Sequence, residues 1–193
     1  MEKKQIVTVH QDVKTILYDV RNKAYITGNS RQASGAVNYE AGSKMQASED
    51  TEEDDQLKRS LTTYFTGLKS KLGEYLDETT TTTDNLIAQK IEEEDVLTLS
   101  FRLPTNYNNA SADALGAGIH AYLVDMTLAD WFNITNPQDV KGYTEHAAVM
   151  LEDVKAALYK RSRPTRPPRP EFFAKAERQA DESKAKESVT SNP

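Results

Sequence analysis

The densest chemistry in the chain lies in the run Lys160-Arg161-Ser162-Arg163-Pro164-Thr165-Arg166-Pro167-Pro168-Arg169-Pro170, with five positive charges, four prolines and no acid. Arginine carries a rigid fork of donors that pairs bidentately with carboxylates or phosphates. Proline fixes φ and removes a backbone donor, so the segment is expected to be extended and largely polyproline II. On such a stiff chain, Arg161, Arg163, Arg166 and Arg169 suit an acidic groove of a protein or the backbone of a nucleic acid. A solvated spacer is the competing reading. Phe172 and Phe173 follow at once. They favour a docking peptide, with charges setting register and aromatics as anchors. Against nucleic acid stand the net charge of −6 and the lack of aromatics between the basic residues.

The other reactive side chains are dispersed. His10, His120 and His146 each stand alone on a predicted helix, with no His-x-x-x-His or His-Glu-x-x-His spacing to converge metal ligands. There is no cysteine, which excludes a disulfide framework, a thiolate zinc site and a Cys nucleophile. No glycine-rich phosphate loop, nucleophile elbow or dinucleotide fingerprint occurs. Asp125 and Asp130 lie five apart on one predicted helix, off each other's face, and read as solvated carboxylates. The cluster Glu49, Asp50, Glu52, Glu53, Asp54 and Asp55 reads as a helix start, where carboxylates meet the positive end of the dipole. A calcium loop would need a glycine turn inside that run, and none is there. No catalytic residue, metal or cofactor is assigned, and an enzyme is not expected.

The chain that must position these groups has 193 residues, of which 37% are hydrophobic. That is lean for a globular protein, so part of it is expected to lie outside the core. The remainder suffices for one domain of about 100–150 residues. No run of about 18 apolar residues occurs, so no membrane helix is expected. Met1-Glu2-Lys3-Lys4-Gln5-Ile6-Val7 lacks the apolar stretch of a signal peptide. A cytosolic, soluble, acidic protein is the expectation.

Hydrophobic spacing predicts four helices. Val9, Val13, Ile16, Leu17, Val20 and Ala24 recur at helical steps, giving a first helix over 8–27 that stops at Gly28-Asn29. Residues 28–50 carry no period and read as a flexible loop or arm. A second helix follows the acidic cluster, with Leu57, Leu61, Tyr64, Phe65, Leu68 and Leu72 on one face and Lys58, Arg59, Lys69 and Lys71 on the wet side. Leu97, Leu99, Phe101 and Leu103 alternate with polar residues, which marks a strand ended by Pro104. Five threonines at Thr79–Thr83 suggest that this strand pairs with the Thr79–Ile91 region as an antiparallel hairpin. An isolated hairpin is marginal, so it must lie on the helices or extend a neighbouring subunit's sheet. Leu115, Ile119, Tyr122, Leu123, Met126 and Ala129 mark a third helix capped by Asn109 or Ser111. Gly116 and Gly118 near its start cost helix stability relative to alanine, and either allow close approach of another backbone or leave a frayed start. Val140, Tyr143, Ala147, Met150, Leu151, Val154 and Leu158 mark a fourth helix entered through Asn136-Pro137. The short link between the last two makes them antiparallel neighbours. The expected fold is mainly α: a small bundle of about four helices with one β-hairpin near 79–103. The body is residues 1–160, and 161–193 form an Arg/Pro-rich arm and polar tail.

The run Ile119-His120-Ala121-Tyr122-Leu123-Val124, Leu128-Ala129-Asp130-Trp131-Phe132, Tyr143 and Leu158-Tyr159-Lys160-Arg161-Ser162-Arg163-Pro164 resembles small neck proteins of tailed bacteriophages. The plan of helical bundle, hairpin and long C-terminal tail is also similar to head–tail connector (adaptor) proteins. The resemblance implies a virion protein, assembled in the host cytoplasm. It would form a homo-oligomeric ring, often of twelve copies, on the portal protein and join capsid to tail or other neck proteins. The C-terminal arm would reach the portal through Arg161, Arg163, Arg166, Arg169, Phe172 and Phe173. The alternative is an accessory protein that binds nucleic acid through the same arm.

Overall fold

The computed structural model describes residues 4–48, 50–77 and 91–163. Lys4–Asp12 is a strand, β1, that runs straight into helix α1, Val13–Ala33. The helix expected over 8–27 therefore starts and ends later. Ile6, Val7, Thr8 and Val9 are successive β-branched residues, which fit a pleated surface better than a helix turn. Val9 and Val13 are spaced like one helical turn, yet Val9 reaches the core from the strand and Val13 from the helix. Ile16, Leu17, Val20 and Ala24 continue the buried face of α1 as their spacing predicts.

Gly28 does not stop α1. It is buried, and a Cβ there would lie 2.7 Å from the carbonyl oxygen of Gly42. Its role is close packing. The chain turns instead at Gly35, where φ is +69°, a conformation that favours glycine. Helix α2, Tyr39–Met45, follows, capped by Asn38 Oδ1, which accepts from the Ala41 amide at 2.8 Å. The stretch 28–50, expected as a loop, thus holds the end of α1 and a second helix whose Met45 is buried.

Helix α3 spans Thr51–Lys71 and buries Leu57, Leu61, Phe65 and Leu68. Asp50 is its N-cap residue, and Glu53 Oε2 accepts from the Ser48 amide at 2.6 Å. Lys58, expected on the wet side, is buried, and Lys71 Nζ donates to the Tyr122 hydroxyl at 2.9 Å.

Strand β2, Val96–Pro104, sits where the alternation places it. Its partner is β1, in antiparallel register from Lys4 opposite Pro104 to Asp12 opposite Val96. Of the expected Thr79–Ile91 partner, residues 79–90 lie outside the described residues. The chain just before them does return to β2. Leu76 bridges Phe101, the Asp77 amide donates to Ser100 at 2.8 Å, and the Arg102 amide donates to Tyr75 at 2.7 Å.

Helix α4, Ser111–Thr135, is the centre of the body: no residue from Gly118 to Phe132 is exposed. A helix apolar on nearly all sides belongs inside a bundle. Its N-cap residue is Ala110, so the side-chain cap expected from Asn109 or Ser111 does not form; Asn108 Oδ1 accepts from the Ala110 amide at 3.1 Å just before the helix. Helix α5, Val140–Leu158, begins after Pro137 rather than at it. Gly118 faces Val154, Asp125 faces His146 and Phe132 faces Tyr143. As numbers rise on α4 they fall on α5, so the two run antiparallel, as expected. The described fold is mainly α, five helices with one two-stranded antiparallel sheet. No described helix is long and apolar enough to cross a membrane.

Candidate functional site

The root of the Arg/Pro-rich run is fixed to the body. One compact unit spans Met1–Ser162, so the body ends within that run. After α5, the Asn108 amide donates to Lys160 at 3.2 Å and the Ser162 amide donates to Asn106 at 2.7 Å. Tyr107 and Arg161 form an antiparallel bridge between these bonds. Residues 160–162 are thereby laid against 106–108.

Arg161 has a local task. Its Nη1 donates to the Leu158 carbonyl at 2.8 Å and to the Lys160 carbonyl at 3.2 Å. A helix leaves its last carbonyls without intrahelical partners, and a cation there also meets the negative end of the dipole. Arg161 therefore caps α5, and Arg163 stands exposed beyond it. Arg166, Arg169, Phe172 and Phe173 lie outside the described residues.

Three tyrosines hold this root. Tyr107 is 3% exposed, and its hydroxyl has no hydrogen-bond partner. Burial pushes its pKa up, against a smaller opposite pull from Arg161. Tyr159 meets Tyr75 edge-on, with ring centroids 5.6 Å apart and planes at 85°. Their hydroxyls are hydrogen-bonded to each other. That bond, then burial, pushes the Tyr75 phenol up to about 12.

A second polar feature joins α1 to α5 across a cleft of about 510 Å³. Lys23, Thr27 and Arg31 recur every four residues on one face of α1. Opposite them, three rungs form. Arg31 pairs with Asp139, with Nε donating to Oδ2 at 3.2 Å. Thr27 Oγ1 and the Tyr143 hydroxyl are 3.2 Å apart. Lys23 Nζ lies 2.8 Å from Asp125 Oδ1, and His146 Nδ1 lies 2.5 Å from Asp125 Oδ2. The hydrogen bond to Asp139, then that carboxylate's charge, raises the Arg31 guanidinium above its ordinary value.

Asp125, expected to be solvated, is 1% exposed. It escapes the cost of a bare buried charge because one oxygen is paired with the Lys23 ammonium and the other is hydrogen-bonded to the His146 ring, both on side chains that are partly exposed. Asp130 is also not free: it accepts from Ser60 Oγ. Next to it, burial and then the Asp130 charge raise the Tyr64 phenol. The signal for Asp125 in the sequence is a carboxylate inside an otherwise apolar run, Tyr122–Ala129. Its partners sit on two other helices, so no local spacing reveals them.

The acidic helix start does more than face a dipole. Asp54 pairs with Arg21 of α1 and with Lys58 Nζ at 2.7 Å, and Lys58 lies 3.8 Å from Glu92. The bond to Asp54 raises the Lys58 amine despite burial. His10 is on β1, not a helix, with Nδ1 3.2 Å from Thr98 Oγ1. His120 lies 2.8 Å from Asp19 and 3.1 Å from Gln11. Among the described residues no three His, Asp or Glu side chains are grouped to hold a metal ion.

Compared with protein-family models, curated proteins and solved structures, the chain matches none.

Proposed function

We propose that this protein is a structural subunit of the neck of a tailed bacteriophage, a head–tail connector that assembles as a ring on the portal. The observation that carries the reading is the clasped root of the arm. Asn106–Asn108 hold Lys160–Ser162, and Arg161 caps α5, at the point where the Arg/Pro-rich sequence leaves the body. A basic, stiff segment launched from a fixed point needs little further ordering at its base when it docks. Arg163, Arg166 and Arg169 then pair with carboxylates of the portal, and Phe172 and Phe173 anchor the contact. Arg161 keeps its place on the helix end. Helix faces pack neighbouring subunits into the ring.

The reading is tested by labelling intact particles with an antibody to residues 1–162 and imaging them. Label confined to the junction of head and tail is the expected result. Label on the capsid shell or tail fibre, or none on opened particles, contradicts it.

A further inference from the structure

β1 has one bonded edge and one open edge. On β2, the Ser100 carbonyl and the Arg102 amide turn away from β1 to meet Asp77 and Tyr75. Their opposite residues, Thr8 and Ile6, therefore form the non-bonded pairs of the ladder, and their own N–H and C=O groups also point outward. By alternation, Lys4 and His10 do the same; Asp12 keeps only its N–H for that edge, because as N-cap of α1 it gives its carbonyl to the first helical turn. Pro104 opposite Lys4 fits this pattern, since a proline has no N–H to give to β1. Among the described residues the sheet has two strands, so no third strand pairs with this edge of β1. Lys4, Ile6, Thr8, His10 and Asp12 are all exposed, and Ile6 is an apolar side chain left 57% exposed.

Natural edge strands are usually blunted by a proline, a bulge or charged side chains, lysine above all. β1 has no proline and no bulge, its register with β2 is unbroken over nine residues, and its two charges of fixed sign, Lys4 and Asp12, stand at its ends. The sequence Lys-Gln-Ile-Val-Thr-Val-His-Gln-Asp is instead complementary to itself when reversed about Thr8. Lys4 then faces Asp12, Gln5 faces Gln11, Ile6 faces His10, Val7 faces Val9, and Thr8 faces itself. Opposite charges placed across a ladder attract, and each end of this one carries such a pair. The outward groups fall in the bonded positions, so the Thr8–Thr8 pair and the two Ile6–His10 pairs each exchange two backbone hydrogen bonds, and at each end the Asp12 amide donates to the Lys4 carbonyl.

We propose that β1 pairs antiparallel with β1 of a second copy of this chain about a two-fold axis at Thr8, merging two β1–β2 sheets into one four-stranded sheet. The occupant is fixed by the reversed complementarity, which is the signature of an isologous contact. Ile6 of each copy is covered by His10 of the other. The pairing stands apart from the neck reading, since it requires no other component.

The test uses the full chain alone. Sedimentation over a concentration series is expected to show a dimer. The chain has no cysteine, so Thr8→Cys adds a single thiol. Bonded pairs across a ladder have Cα atoms about 5.5 Å apart, within disulfide reach. Oxidised Thr8→Cys is expected to form a covalent dimer rapidly. Lys4→Cys is the control, because the two Lys4 positions would be about 27 Å apart along the strands. Asp12→Lys should weaken dimerisation roughly tenfold or more by placing Lys4 against lysine at both ends. Adding Lys4→Asp should restore it. A chain that stays monomeric overturns the proposal. So does Lys4→Cys cross-linking as fast as Thr8→Cys, or failure of the double charge reversal to rescue while circular dichroism is unchanged.

Discussion

Gly118 of α4 and Val154 of α5 are so close that a Cβ on Gly118 would lie 2.7 Å from Val154 Cγ2. The cost of a glycine inside a helix, about 1 kcal/mol against alanine, is thus offset by the approach it permits. That approach lets α5 cover the central helix along its length.

Gly118→Ala is expected to destabilise the protein despite its better helix propensity, because the added methyl must displace Val154. The double variant with Val154→Ala should be more stable than the sum of the two single effects by about 1–3 kcal/mol. Urea unfolding of the four proteins in the cycle measures this. Simple additivity would mean that the two helices separate freely.

The Asp125 carboxylate is buried while its two partners, the Lys23 ammonium and the His146 ring, are half-exposed. Removing the partners should therefore cost more than removing the acid. Lys23→Met with His146→Ala leaves a bare buried charge and is expected to cost about 3–5 kcal/mol. Asp125→Asn, whose loss water can make good at the half-exposed Lys23 and His146 side chains, should cost about 1 kcal/mol. Denaturant midpoints at neutral pH compare them, and the reverse order would refute the arrangement.

Trp131 is the single tryptophan, and its Nε1 donates to the Met45 carbonyl at 2.9 Å. Fluorescence therefore reports directly on the docking of α2. Met45→Ala should shift the emission to the red and lower stability by about 2 kcal/mol. An unchanged spectrum would mean that α2 is not held to α4 through this contact.

Tyr75 gives a pH dependence at the alkaline end. Its folded pKa, about 12, lies above the ordinary value of 10.0. The folded state thus holds this proton more tightly than the unfolded chain does. The contribution is complete below about pH 10 and is lost as pH rises towards 12. Tyr64 and Tyr107 are also raised, so tyrosinate absorbance should show a late step that Tyr75→Phe reduces without removing. A late step unchanged by Tyr75→Phe would argue against the Tyr75–Tyr159 hydrogen bond.

Much of the fold is legible in sequence because three helices are long. The apolar spacings of α3 and α5, the near-continuous apolar content of α4, and the alternation of β2 each suffice to identify the element. β1 is not legible as a strand: Val9 serves equally well as the first residue of a helical stripe, and its partner lies some ninety residues away, at Leu99. α2 is seven residues long, and what holds it is tertiary, Met45 beside Trp131 and Gly42 against Gly28. The α1–α5 cleft is invisible for the same reason. Arg161 belongs to a basic run by composition and to a helix end by geometry, and only the carbonyls of Leu158 and Lys160 distinguish the two.

The central claim is that the arm, and not the body, takes the protein to the portal. The most direct measurement is capture of the purified portal ring of the same phage by the full chain and by a chain ending at Ser162. That truncation keeps the Asn106 clasp and the Arg161 cap, so the body is left whole. Retention of the portal by the full chain alone is the predicted result. Equal retention by both chains, or retention by the full chain of nuclease-sensitive nucleic acid and no portal, would contradict the account.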